Sequence, residues 1–308
     1  MAPNFRLLYE RMSEENKELK RKNSLLEKII EIHEEKDQIY KEYEEKTNEI
    51  VRQMSGEMQK LTDGYESALT DLATNLVNHF SEYEKSPWRI EKKVLECKYS
   101  FRNQTVPDGG IVFAGSSLME MFPLEDWVQE LPEPRPMVYN RGIGGYTTED
   151  YLPILDICVW DLKPSKVFIN IGTNDLSNPD QTLDEIMERY DEILTRIEEH
   201  LPGVPIYVMA YYPVNPEAAP DEQTRAWLSI RTNEKINAAN EKVKELAEKH
   251  LQRFIDLNAP LKDAEGRLKA EYTIEGVHLN EQGYRSIFDD LMKYALEEIP
   301  VAEESNEG

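Results

Sequence analysis

From about residue 108 the chain alternates short β-branched runs with amphipathic stretches, and nothing else in it restricts the fold as strongly. The runs are IVFAG (111–115), MVYNRG (137–142), KVFINIG (166–172), PIYVMAYYP (205–213) and RFIDL (253–257). Helical candidates lie between them at 147–160, 181–200 and 223–250, with a last one at 280–298. A strand with one wet face alternates apolar and polar residues, whereas a strand apolar throughout is covered on both sides. Strands of that kind alternating with helices predict an α/β fold with a parallel sheet between two helical layers. In such sheets the ligand crevice opens at the carboxyl ends of the strands, which is where chemistry is to be sought.

The first 85 or so residues follow a different pattern. They hold no proline between Pro3 and Pro87 and are crowded with Glu, Lys and Asn. Every seventh residue from Met12 gives Met12, Leu19, Leu26, His33, Tyr40, Thr47, Met54, Leu61 and Ala68. A second ridge carries Ile29, Tyr43 and Ile50 but also Glu15, Lys22, Lys36 and Glu57. One good ridge beside a broken one predicts an imperfect coiled coil or a long helical hairpin. Gly56 and Gly64 weaken the helix, so a second, shorter helix is expected over about 65–83. The arm is expected to dimerise or dock; the alternative is a charged helical extension folding back on its own domain. The expected organisation is a helical arm over 1–87, an α/β domain over 88–300 and an acidic disordered tail over 301–308.

A length of 308 residues leaves room for one large domain or two smaller ones. The formal charge of −24 argues against nucleic acid and anionic membrane surfaces, since both need clustered Lys and Arg. Residues 1–90 contain 14 basic and 19 acidic side chains, so −5 of the charge falls there and −19 on the remainder. The excess acidity therefore belongs to the α/β region. No apolar run approaches the roughly 18 residues a membrane span requires. The segment MAPNFRLLYERMSEENKELK lacks the apolar region and cleavage site of a secretory signal, so a cytoplasmic location is expected. Cys97 and Cys158 form no disulfide framework, and no metal-ligand spacing is present, so neither metal nor cofactor is expected.

The polar and glycine residues gather at the predicted strand ends. Gly115-Ser116-Ser117-Leu118 follows the first run, Asn140-Arg141-Gly142-Ile143-Gly144-Gly145 the second, and Gly172-Thr173-Asn174-Asp175 the third. Glu275-Gly276-Val277-His278-Leu279-Asn280 precedes the closing helix. Ester hydrolysis needs a hydroxyl, a base within about 3 Å of it, an acid to orient the base, and donors for the oxyanion. Of the five histidines, His33 and His79 fall in the arm and His200 and His250 near the ends of charged helices; only His278 sits on a strand-end loop. Glu275, three residues upstream, can orient its ring from the same turn. The N–H of a serine at a helix start, that of a glycine in a tight turn, and the Asn174 amide supply candidate oxyanion donors.

Each feature has a structural counterpart. Ser116 and Ser117 both stand where a serine caps a helix, and either could be the nucleophile. The Gly142–Gly145 segment also reads as a plain turn or a dinucleotide loop, although Thr147 occupies the third glycine position of G-x-G-x-x-G. Asn174-Asp175 also reads as an Asx turn or cap. Tyr146, Leu176, Tyr211, Tyr212 and Trp227 line either an acyl or sugar pocket or the core.

These four segments resemble the four signature blocks of the SGNH hydrolases, the GDSL esterase/lipase family. The resemblance covers about 108–298, including His278-Leu279-Asn280 followed by Gly283-Tyr284, and excludes the arm. It implies a flavodoxin-like three-layer α/β/α sandwich on a five-stranded parallel sheet. It implies Ser117 as nucleophile, His278 as general base, and Gly145 and Asn174 as oxyanion donors beside the Ser117 N–H. Ser116 stands where the family usually has aspartate. Glu275 stands where it places the aspartate supporting histidine, with the same charge and one more methylene; either Glu275 or a backbone carbonyl then holds the ring. The implied activity is ester hydrolysis without metal or organic cofactor. The expected reaction removes a short acyl group, acetyl above all, from an oxygen of a carbohydrate or other small-molecule substrate. The alternatives are an esterase for lysophospholipid or platelet-activating-factor-type lipids, and a non-catalytic coiled-coil assembly protein whose hydrolase-like domain binds an acylated ligand. A homo-oligomer through the N-terminal helices is the expected partner state.

Overall fold

Within the strands successive side chains point to opposite faces, and here both faces are covered. Five strands form one sheet: β1 (Ile111–Gly115), β2 (Val138–Gly142), β3 (Lys166–Asn170), β4 (Ile206–Met209) and β5 (Arg253–Ile255). Their order is β2-β1-β3-β4-β5 and every pairing is parallel. This is a computed structural model, which describes residues 87–298 continuously and scattered positions between 14 and 74.

Val112, Ala114, Val167, Ile169, Ile206 and Val208 face one helical layer. Ile111, Phe113, Phe168, Tyr207 and Met209 face the other. On that second face Phe113, Phe168 and Tyr207 stack across three strands, with ring centroids 4.7 and 4.4 Å apart. The molecule is thus the three-layer α/β/α sandwich the sequence implied.

Four helices of 16 to 18 residues do most of the covering: α1 (Pro87–Asn103), α2 (Leu183–His200), α3 (Asn233–Lys249) and α4 (Glu281–Leu296). α2 starts at a capping box between Thr182 and Glu185 and buries Ile186, Tyr190, Ile193, Leu194 and Ile197 at helical spacing. α3 and α2 share the first layer with a broken helical segment over 148–158, while α4 and the segment 118–128 fill the second. α4 begins where the Asn280 side chain accepts from the Gly283 N–H at 3.0 Å.

Several sequence expectations are corrected here. The run 147–160 is not one helix but the helical turns Thr148–Tyr151 and Leu155–Cys158, with a 3₁₀ turn Leu152–Ile154 between them. Pro153 sits in that 3₁₀ turn and has no N–H to continue the α ladder. The run 223–250 is two helices, Glu222–Leu228 and α3, because Thr232 caps the second by accepting from the Lys235 N–H. α1 was not anticipated as a helix. Its inward face is polar (Glu96, Tyr99 and Asn103 are buried), so the apolar periodicity that reveals a helix is absent.

The chain divides into two compact units, Met1–Leu69 and Thr70–Gly308. In the first, every described position is helical, Gly56 and Gly64 included. Most of the second arm helix expected over 65–83, residues 75–86 ahead of the expected boundary near 87, and the tail over 301–308 lie outside the described residues. Among the described residues no helix is long and apolar enough to cross a membrane.

β1 is flanked by β2 on one side and β3 on the other, so the loops after β1 and β2 and the loop after β3 leave the sheet on either side of one crevice. Gly115 is in register with both Gly142 and Asn170, which brings the three loops to the same level.

Candidate active site

β1 ends at Gly115, whose φ of +155° and lack of a side chain let the chain pass the Asn170 carbonyl; a Cβ there would lie 2.3 Å from that oxygen. The turn puts Ser117 at the first position of the short helix Ser117–Glu120. In that first turn a backbone N–H has no intrahelical acceptor, so the Ser117 N–H is available to a ligand. Ser116 differs from the reading of a side-chain cap. Its backbone torsions are φ −98° and ψ −149°, its side chain makes no capping hydrogen bond, and its Oγ is buried without a hydrogen-bond partner among the described residues.

The Ser117 Oγ lies 2.9 Å from His278 Nε2. On the other side of the ring, Nδ1 is hydrogen-bonded to Glu275 Oε1, which also accepts from the His278 backbone N–H at 3.3 Å. A carboxylate accepts only, so Nδ1 carries the proton and Nε2 is left to accept from the Ser117 hydroxyl. The extra methylene of glutamate therefore does not prevent contact: the carboxylate holds the ring itself.

The loop carrying Glu275 and His278 is tightly made. Thr273 Oγ1 donates to the His278 carbonyl at 2.8 Å and accepts from the Gly276 N–H at 2.8 Å. Gly276 has φ +103° and its carbonyl accepts from Asn215 N–H at 2.8 Å. A Cβ at Gly276 would fall 2.4 Å from the Asn215 carbonyl oxygen, so only glycine fits this turn.

The oxyanion side is built from the loops after β2 and β3. In the turn after β2, Ile143 N–H goes to the Gly115 carbonyl, Gly144 N–H to Glu120 Oε2 and Tyr146 N–H to the Ile143 carbonyl. Among the described residues the Gly145 N–H has no acceptor. Asn174 Nδ2 donates to the Tyr146 carbonyl at 2.9 Å, which leaves its second hydrogen for a ligand. Asn174 Oδ1 accepts from Arg231 Nη2 at 2.8 Å. Asp175 points inward instead, fully buried on Thr148 and Arg189; burial pushes its carboxyl upward against those partners.

Two groups here carried no sequence signal. Trp88 and Lys92, at the start of α1, close over the glycine turn. A Cβ on Gly145 would lie 2.2 Å from Trp88 Cζ2. A Cβ on Gly144 would lie 2.6 Å from Glu120 Oε2, 3.0 Å from Lys92 Nζ and 3.4 Å from Ser117 Cβ. Lys92 pairs with Glu120 at 3.1 Å, compensating the carboxylate that accepts from the Gly144 N–H. Arg231, in the break before α3, is 3 % exposed, donates through Nε to Ser177 Oγ at 2.8 Å and lies 5.0 Å from the Trp227 ring centre.

Of the five pocket candidates, Tyr211 and Tyr212 belong to the core. Tyr211 donates to the Ile171 carbonyl at 2.8 Å. Tyr146 and Leu176 are also buried, and Tyr146 bonds Glu96 of α1. Trp227 alone of the five stays exposed, at 37 %. Among the described residues no group of three or more His, Cys, Asp or Glu side chains is arranged to hold a metal ion.

Known proteins share this fold and family. The family model for the GDSL-like Lipase/Acylhydrolase family matches residues 113–286. An N-acylneuraminate cytidylyltransferase from Escherichia coli O18:K1:H7 is 26 % identical over 155 residues, which are 50 % of this chain and 34 % of that protein; the chain thus spans about a third of its length. A solved structure described as a platelet activating factor from Streptococcus pneumonia is 30 % identical, with a TM-score of 0.59, over 73 % of this chain and 99 % of that one. A GDSL-like lipase from Bacteroides thetaiotaomicron shares the fold at 20 % identity and a TM-score of 0.54, over 65 % of this chain and 98 % of that one.

Proposed function

The chain belongs to the GDSL-like lipase/acylhydrolase family and is an ester hydrolase, and on that premise we propose that Ser117, His278 and Glu275 perform its chemistry on a short acyl, specifically acetyl, O-ester of a carbohydrate or other small polar substrate. The observation that carries the reading is the relay itself: Ser117 Oγ 2.9 Å from His278 Nε2, with Nδ1 on Glu275.

In the proposed sequence, Nε2 takes the hydroxyl proton as Oγ attacks the ester carbonyl. Charge moves to the carbonyl oxygen, where the Ser117 and Gly145 N–H groups and Asn174 Nδ2 meet it. The imidazolium, stabilised by Glu275, then gives its proton to the departing alkoxide, leaving an acyl-serine and a free alcohol. Water, deprotonated by His278, attacks the acyl-serine; the acid leaves and Oγ recovers its proton.

Two features support a short acyl group and a polar alcohol. The glycine turn is already walled by Trp88, Lys92 and Glu120 at contact distance, which restricts bulk beside it. That wall is an ion pair and an indole rather than an aliphatic groove. The curated relative is named for an N-acylated sugar acid, which also favours a carbohydrate-like ligand. A lipid ester is the second reading, favoured by the 30 % identical structure described as a platelet activating factor. The heptad spacing of the arm supports self-association of copies.

Initial rates separate the two readings. With p-nitrophenyl esters of rising chain length, acetylated sugars and lysophospholipids as substrates, acetyl esters are expected to turn over fastest and activity to fall with chain length. A maximum on lysophospholipid or long acyl chains would replace the carbohydrate reading with the lipid one.

A further inference from the structure

A carboxamide keeps its shape when oxygen and nitrogen are exchanged, so an asparagine serves an oxyanion only if its surroundings force nitrogen to the correct side. Resting on the reading of Ser117 and Asn174 proposed above, we infer that Arg231 is a positioning residue of the oxyanion hole, its guanidinium holding Asn174 Oδ1 so that Nδ2 faces the reacting carbonyl.

Two neighbours, each able to act in one direction only, leave the amide no choice. A guanidinium only donates, so the atom 2.8 Å from Arg231 Nη2 is the amide oxygen. A carbonyl only accepts, so the atom 2.9 Å from the Tyr146 oxygen is the amide nitrogen. Tyr146 follows Gly145 directly, so the same contact ties the loop after β3 to the turn holding the other candidate donor. With one Nδ2 hydrogen so placed, the geometry of a planar amide fixes the direction of the second.

Arg231 is itself immobilised. Its Nε donates to Ser177 Oγ at 2.8 Å, its guanidinium lies 5.0 Å from the Trp227 ring centre, and it is 3 % exposed. Such burial is costly for a cation, and it draws the group down to about 10, against the pull of Asp175 and Glu275. The guanidinium therefore stays charged through neutral pH, and its charge polarises the Asn174 amide from behind. Its two carboxylate neighbours are the residue after Asn174 and the acid on His278, which places it between the two halves of the site.

The test is steady-state kinetics on the full chain with p-nitrophenyl acetate, comparing Arg231→Met, Arg231→Lys, Asn174→Ala, Arg231→Met/Asn174→Ala and Ser117→Ala. Met keeps the length of the stem and removes every donor; Lys keeps a charge and a donor. Asn174→Ala is expected to lower kcat by roughly 10² to 10³. Arg231→Met should lower kcat by roughly 10- to 100-fold with KM within about threefold of the unaltered protein, and Arg231→Lys should recover part of that loss. The double variant should match Asn174→Ala, because a residue acting through Asn174 has nothing left to position. A kcat for Arg231→Met within about twofold of the unaltered protein would overturn the inference, as would losses that multiply in the double variant. If Arg231→Met melts at the assay temperature, the order of the other variants decides: Arg231→Lys losing turnover as fully as Asn174→Ala overturns the inference, and an intermediate loss upholds it. Full activity in Ser117→Ala would bring down the catalytic reading itself. An inactive Ser117→Ala beside an unimpaired Arg231→Met would bring down only the role of Arg231.

Discussion

A serine hydroxyl is a poor nucleophile until a base within hydrogen-bond reach removes its proton, and the 2.9 Å between Ser117 Oγ and His278 Nε2 supplies that reach. The base in turn needs the correct tautomer, which follows from the Glu275 carboxylate on Nδ1. Glu275→Gln should therefore keep the fold and lower kcat by at least about tenfold, since an amide can present its own donor to Nδ1 and favour the wrong tautomer. Near-normal kcat would assign ring orientation to the loop rather than to the carboxylate. At this scale the sequence was informative where chemistry narrows the choice: one histidine on a strand-end loop, with an acid three residues before it. It was silent on Arg231, one of two arginines in a run read as one long helix. Only the Thr232 cap breaks that run and places Arg231 against Asn174. It also gave no way to tell that the Ser116 hydroxyl would turn inward while the next serine faces the histidine.

The elements carry the site through α1. Trp88, Lys92, Glu96, Tyr99 and Asn103 recur every three or four residues and so share one face of that helix. Each meets the β2 strand or the turn after it. Trp88 covers Gly145, Lys92 pairs with Glu120 beside Gly144, Glu96 bonds Tyr146, Tyr99 donates to the Gly142 carbonyl at 2.8 Å, and Asn103 accepts from Arg141 at 2.9 Å. Tyr99→Phe removes one buried hydrogen bond and leaves its acceptor unsatisfied; it should cost about 1 to 3 kcal/mol in urea unfolding. An unchanged midpoint would show that α1 does not brace the turn. β1, β3 and β4 were legible because apolar residues line both of their faces. α1 was not, because its buried face is made of hydrogen-bonding groups. The helix breaks at Pro153 and Thr232 are local events that periodicity averages over.

At the scale of the whole molecule, the sheet order β2-β1-β3-β4-β5 makes a crevice at the end of β1, and the rest of the α/β unit serves to hold four loops around it. The arm adds a separate property. Light scattering of the full chain is expected to give a mass that is a multiple of 35.9 kDa; a monomer at micromolar concentration would defeat self-association through the heptads. The central claim, that Ser117 is the nucleophile activated by His278, is tested most directly by covalent labelling. After treatment of the full chain with a fluorophosphonate, peptide mass spectrometry should find one adduct, on Ser117, forming in step with loss of esterase activity and strongly slowed in His278→Ala. An adduct on another residue accompanying inactivation, or full activity retained with Ser117 labelled, would contradict it.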